Sequence, residues 1–99
     1  CLSGEPIDAH EALRLGLVER VVPAAELAEA AATLARKLAE KAPLALAAIK
    51  QAINRGLDMP LAEGCMYEAA LFGALAVTED AKEGTAAFLE KRRATWSGR

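Results

Sequence analysis

The sequence predicts an all-α fold, a small bundle of four or five helices with one short strand near its start. Three observations carry that prediction. Hydrophobic residues fill 54% of the 99 positions and alanine supplies nearly half of them, a composition suited to closely packed helices. Aromatic residues make up only 4%, which argues against a β-sandwich. Apolar residues also recur at spacings of three and four between cap and stop signals, as amphipathic helices require.

The elements follow in order. Asp8 stands three residues before Glu11 in a capping-box arrangement, so a short helix runs from about Ala9 to Leu15 and stops at Gly16. Leu17 to Val22 reads LVERVV, a short extended segment ended by Pro23, and a lone strand needs a partner for its backbone. From about Pro23 to Ala42 a second helix places Leu27, Ala31, Leu34 and Leu38 on one face. Glu26 and Glu29 lie near its start, Lys37 and Lys41 near its end, as the helix dipole prefers. Pro43 suits the first turn of a third helix, which is expected to bury Leu46, Ile49 and Ile53 and to end at Gly56. Asp58 and Pro60 mark a fourth start, running to about Val77. Either Thr78 or Asp80 caps the last helix, with Glu83 three residues beyond Asp80.

Charge and cysteine usage narrow the classes of function. A net charge of −2 gives no reason to expect nucleic acid, although Lys91 to Arg99 holds four cations and no acid. Cys1 and Cys65 have no metal-ligand spacing, and one histidine with scattered acids makes no metal site. Without a signal peptide or a membrane-length apolar run, a cytoplasmic setting is the expectation. The opening CLSG, with no initiator Met, reads as the middle of a longer protein.

Few residues offer chemistry. Glu68 falls within the helical stripe Leu61, Cys65, Phe72 and Leu75, where a carboxylate could serve as a general acid or base. The plainer alternatives, an ion pair with an arginine or a place at the surface edge, weigh more heavily. His10, on a short charged helix, is expected to be a surface histidine, since no nucleophile setting accompanies it. In the stretch TEDAKEGTAAFLEKR, Gly84, Phe88 and Lys91 fall at spacings of four and three, on one helix face. A glycine there costs roughly 1 kcal/mol relative to alanine. It would admit a close backbone or a flat group, beside a ring for stacking and an ammonium suited to phosphate. Spacing alone favours the alternative, in which Phe88 is core and the cations are a solvated end.

Several blocks in order, SGEPIDAHEALRLGLVERVVP, the alanine-rich helix after EL, APLALAAIKQAIN and TEDAKEGTAAFLEKR, resemble the C-terminal part of the enoyl-CoA hydratase/isomerase (crotonase) family. The resemblance covers essentially the whole chain. It implies that residues 1–22 end a larger N-terminal part of ββα-superhelix form, and that 23–99 form a helical oligomerisation domain that builds trimers or hexamers. Family hydratases add water to trans-2-enoyl-CoA to give 3-hydroxyacyl-CoA in fatty-acid and related acyl-CoA metabolism, with two glutamates and an oxyanion hole. Those parts belong upstream of CLSG, so no catalytic residue is assigned here and these 99 residues alone are expected to be inactive. The resemblance carries Phe88 and Lys91 over as the pair that reaches the coenzyme A of a neighbouring subunit, ring near adenine and lysine near phosphate. It carries Phe72 over as a border of the acyl-chain pocket. No cofactor is implied beyond coenzyme A as part of the substrate, and no nucleic acid or membrane. Another family reaction, such as isomerisation or a different acyl-CoA lyase step, and an autonomous helical interaction module are the alternatives. The ending ATWSGR departs from the family's common proline and phenylalanine, with Trp96 expected as the docking aromatic.

Overall fold

A computed structural model describes Leu2 to Arg99. Five α-helices follow one another: α1 (Ala9–Arg14), α2 (Leu27–Ala39), α3 (Pro43–Gly56), α4 (Leu61–Ala76) and α5 (Glu79–Leu89), with a 3-10 turn at Ala24–Glu26 leading into α2. The chain divides into two units, one up to Ala35 and one from Arg36 to Arg99. No single helix among the described residues is long and apolar enough to cross a membrane.

In the first unit α1 begins as its sequence dictates, the Asp8 carboxylate accepting from the Glu11 N–H at 2.8 Å. The reciprocal half of the expected box is replaced, because the Glu11 side chain turns instead to Arg14. Gly16 then takes a left-handed φ of 75°. The Gly16 and Leu17 N–H groups reach back to the carbonyls of Leu13 and Ala12 at 3.1 and 2.9 Å, a complete Schellman turn. This turn explains a correction: Leu17–Val22 forms no strand. Leu17 and Val18 both direct their N–H groups at Ala12, and no second strand exists among the described residues to form a ladder with them.

The second unit is built on a helical hairpin. Pro43 opens α3 at its first turn and Pro60 stands at the N-cap of α4, and neither start carries a side-chain cap. The helices approach closely where α3 ends, since a Cβ added at Gly64 would meet the Gly56 backbone at 3.6 Å. Arg55 lies over the Tyr67 ring, 5.9 Å from its centroid, and ties the two helices together.

The expected core is a second correction. The face of α2 carrying Leu27, Leu34 and Leu38 is exposed, as are Ile49 and Ile53 of α3, while Leu46 is only half-buried. Among the described residues only Asp80 and Ala87, both on α5, are fully buried. The chain exposes 8358 Å². Even two separate compact bodies of these two sizes would together expose only roughly 6,400 Å² by the usual scaling of area with mass. Periodicity identified the apolar faces correctly, but these faces are exposed among the described residues.

What is well packed is the tail. Residues after α5 fold back along it, and the Trp96 indole lies on Gly84, where an added Cβ would stand 3.3 Å from the ring. The indole Nε1–H donates to the Glu40 carbonyl at 2.8 Å. Gly84 therefore admits a flat group from its own chain, which offsets its helix cost, and Trp96 is the docking aromatic. Gly84→Leu is expected to keep the helix while expelling the indole. Emission from Trp96, the only tryptophan, should move to the red with far-UV helicity retained; an unchanged emission maximum would contradict this packing.

Candidate functional site

The polar features of the second unit converge on α5 and the chain that follows it. Thr78 is the cap: its Oγ1 accepts from the Ala81 N–H at 3.1 Å and donates to the Leu75 carbonyl at 2.7 Å. Asp80, the other candidate cap, has a different task. Only 4% exposed, its carboxylate accepts from the Ser97 N–H at 2.7 Å, the Ser97 hydroxyl at 3.1 Å and the Gly98 N–H at 3.1 Å. Its own N–H donates to the Arg99 carbonyl at 3.0 Å. Burying a charge is costly unless donors surround it, and here the tail supplies them within the first turn of α5.

Glu83 acts one turn later. Both of its oxygens receive the Arg92 guanidinium, at 2.6 and 2.8 Å, and one also accepts the Thr95 N–H at 2.8 Å. Arg92 in turn donates through Nε to Glu90 at 2.6 Å. The guanidinium and the Thr95 N–H hold the Glu83 carboxyl at about 2, down from an ordinary 4.5. The paired carboxylates raise Arg92 above its usual range.

This arrangement sorts the three consecutive cations. Arg92 is occupied by Glu83 and Glu90, and Arg93 reaches Glu40 at 3.5 Å. The Lys91 ammonium has no hydrogen-bond or ion-pair partner among the described residues. Lys91 lies past the end of α5, in a left-handed conformation with φ 53°. The Lys91 and Arg92 N–H groups donate to the carbonyls of Phe88 and Ala87 at 3.3 and 3.0 Å, so the Schellman turn seen at Gly16 is repeated with lysine in the glycine place.

The shared helix face expected for Gly84, Phe88 and Lys91 is corrected at Lys91 alone, since Gly84 and Phe88 lie four residues apart on α5. Gly84 lies under Trp96, and Lys91 is beyond the helix. Phe88 is 82% exposed, so it is not core, and its carbonyl accepts the Lys91 N–H at the end of α5. The roles of Asp80, Glu83 and Arg92 were not legible from spacing, because their partners lie past the helix end and follow no period.

Phe72 occupies a separate place. It lines an open apolar trough of about 520 Å³ between α3 and α4, with Ile49, Ile53, Leu61, Cys65 and Glu68. Glu68 is exposed at this edge, in line with its plainer reading, and His10 is exposed on α1. Among the described residues no three His, Cys, Asp or Glu side chains group as metal ligands.

Comparison with known proteins places this geometry in context. The family model for enoyl-CoA hydratase/isomerase matches residues 1–99. An (E)-benzylidenesuccinyl-CoA hydratase of Thauera aromatica is 50% identical over 97 residues, covering 98% of this chain and 38% of that protein. The 2,3-dehydroadipyl-CoA hydratase of Escherichia coli K12 is 46% identical, covering 99% of this chain and 38% of its own length. A crystal structure of an enoyl-CoA hydratase from Geobacillus kaustophilus HTA426 superposes with a TM-score of 0.94 at 49% identity, over 99% of this chain and 37% of that one. The chain therefore spans less than two fifths of the length of each of these relatives.

The Glu83 arrangement has a pH signature. Its carboxyl is depressed in the folded state, so its contribution is present above an ordinary 4.5 and is lost as pH falls from there through about 2. Trp96 emission should hold steady from neutrality to about pH 5 and shift progressively to the red below it. In Glu83→Gln the shift should already be present at neutral pH, with the acid limb reduced. A variant whose emission tracks the parent at every pH would rule out Glu83 as the tail's anchor.

Proposed function

Because this chain belongs to the enoyl-CoA hydratase/isomerase family, we propose that it is the assembling and CoA-gripping end of an enoyl-CoA hydratase. The parent reaction is addition of water to a trans-2-enoyl-CoA to give a 3-hydroxyacyl-CoA, in the cytoplasm. The observation that carries the CoA part is an exposed Phe88 three residues before Lys91, whose ammonium has no partner among the described residues.

In this reading Phe88 stacks on the adenine of coenzyme A. Stacking of a base on an aromatic side chain contributes about 1–3 kcal/mol. Lys91 offers its compact charge to the 3′-phosphate, an interaction that needs no fixed bidentate geometry. Phe72 and the apolar trough border the acyl chain. Coenzyme A enters as part of the substrate, and no separate cofactor is required. Glu68 is the one carboxylate lining the trough, and no residue of this chain is assigned the paired acid and base work of hydration.

The uncovered faces of α2, α3 and α4 supply the assembly part. Residues 1–22 would abut the larger catalytic portion, and 23–99 would join copies of the subunit as a trimer or a hexamer. Leu27, Leu34 and Leu38 form one continuous apolar stripe for such contacts.

Titration with coenzyme A and with dephospho-CoA, which lacks the 3′-phosphate, tests the CoA part. Weak binding is expected, and loss of that phosphate should weaken it about twofold to fivefold, the scale of an exposed ion pair. Lys91→Ala should abolish the difference, whereas Phe88→Ala should weaken both ligands by about tenfold or more. Equal affinity of the unaltered chain for both ligands would remove Lys91 from this role. Light scattering after size-exclusion chromatography tests the assembly part, where a mass above 10.4 kDa is expected and a strict monomer would count against it.

A further inference from the structure

The chain builds the same helix-ending turn twice. At the end of α1 the left-handed position is Gly16, with φ 75°; at the end of α5 it is Lys91, with φ 53°. A left-handed conformation is free of steric cost for glycine, but an L-residue with a Cβ resists it. Uncommon backbone conformations persist only where the surroundings over-determine them, and they gather where a side chain has a task. Two questions therefore arise at Lys91: what holds it there, and for what purpose.

The holding is visible. Arg92, the next residue, spans two carboxylates that precede the turn. It meets Glu83, inside α5, through both terminal nitrogens, and Glu90, the last residue before Lys91, through Nε. Thr95, three residues on, closes on the same Glu83 through its N–H. The chain on both sides of Lys91 is thus pinned to one helix, and the strained residue lies between the pins. The same bonds neutralise Arg92. Only the Lys91 ammonium, of three adjacent cations, is left without a partner among the described residues.

We propose that Glu83 and Arg92 form a clasp that holds Lys91 in its left-handed turn, making Arg92 a positioning residue for the phosphate that Lys91 binds. The inference rests on the CoA reading above and adds to it a division of labour. One cation recognises the ligand; its neighbour, of the same charge, shapes the backbone and is withheld from the ligand. An anion arriving at the end of α5 meets a single charge at a set position rather than a diffuse basic end.

The test uses the full chain and two probes, coenzyme A and dephospho-CoA, with nuclear magnetic resonance following the backbone of Lys91 and the affinity for each probe. In the unaltered chain the Lys91 couplings and shifts should be those of a left-handed residue, with coenzyme A preferred about twofold to fivefold. Arg92→Ala and Glu83→Gln should each lose the left-handed signature and bring the preference close to one. Arg93→Ala, which removes a cation without touching the clasp, should leave both unchanged. Replacing Lys91 by its D-enantiomer in the Arg92→Ala background, where positive φ is intrinsically favoured, should restore the preference without the clasp. A merely structural role for Arg92 would not give that rescue. A preference that survives in both Arg92→Ala and Glu83→Gln, or a D-lysine variant without rescue, overturns the inference alone. Equal affinity of the unaltered chain for the two probes overturns the CoA reading and this inference with it.

Discussion

The second unit depends on the capture of its own tail by the acids of α5. Asp80 is a charged side chain with almost no exposure, and such a group is stable only when its oxygens are met by donors. Those donors are the Ser97 N–H and hydroxyl and the Gly98 N–H, so the chain after α5 has one place to go. Once it is there, Thr95 and Arg92 fall against Glu83, and the Trp96 indole falls against Gly84 with its nitrogen on the Glu40 carbonyl. A helix of eleven residues, marginal on its own, is thereby tied to the start of the α3–α4 hairpin.

That capture also decides which groups remain for recognition. The acids on the tail side of α5 are consumed by backbone and guanidinium donors. The cations divide in the same way, two engaged and one left open. Phe88 and Lys91 are what the packed tail does not use, at the end of a helix whose terminal carbonyls favour a cation. The combination of an open ring and an open ammonium is a product of the packing around them, and the proposed CoA contact draws on that product.

The other half of the molecule's character is what it leaves uncovered. The stripe on α2 and the trough between α3 and α4 have the composition of a core and the exposure of a surface. The hydrophobic effect gives such faces a strong tendency to be buried, at roughly 25 cal/mol per Å². Nothing in the described chain buries them. Among the described residues full burial is confined to α5, and the broadest apolar faces stay open.

The helices were readable because their causes are local. Asp8, Gly16, Pro43 and Pro60 act on residues within one turn, and the leucine and isoleucine faces follow a period of 3.6. For the same reason the sequence by itself determined the helix order, the boundaries to within a few residues, and which faces are apolar. It did not determine that LVERVV has no partner strand among the described residues, that α2 and α3 present those faces to solvent, or that Gly84 makes room for Trp96. Nor did it assign the acids of α5, since Glu83 meets Arg92 nine positions on and Asp80 meets Ser97 seventeen positions on. Only the tertiary structure decided these matters. Whether a face is covered, and which charge meets which, depends on where the chain returns in space, and a return across a helix end leaves no period to read.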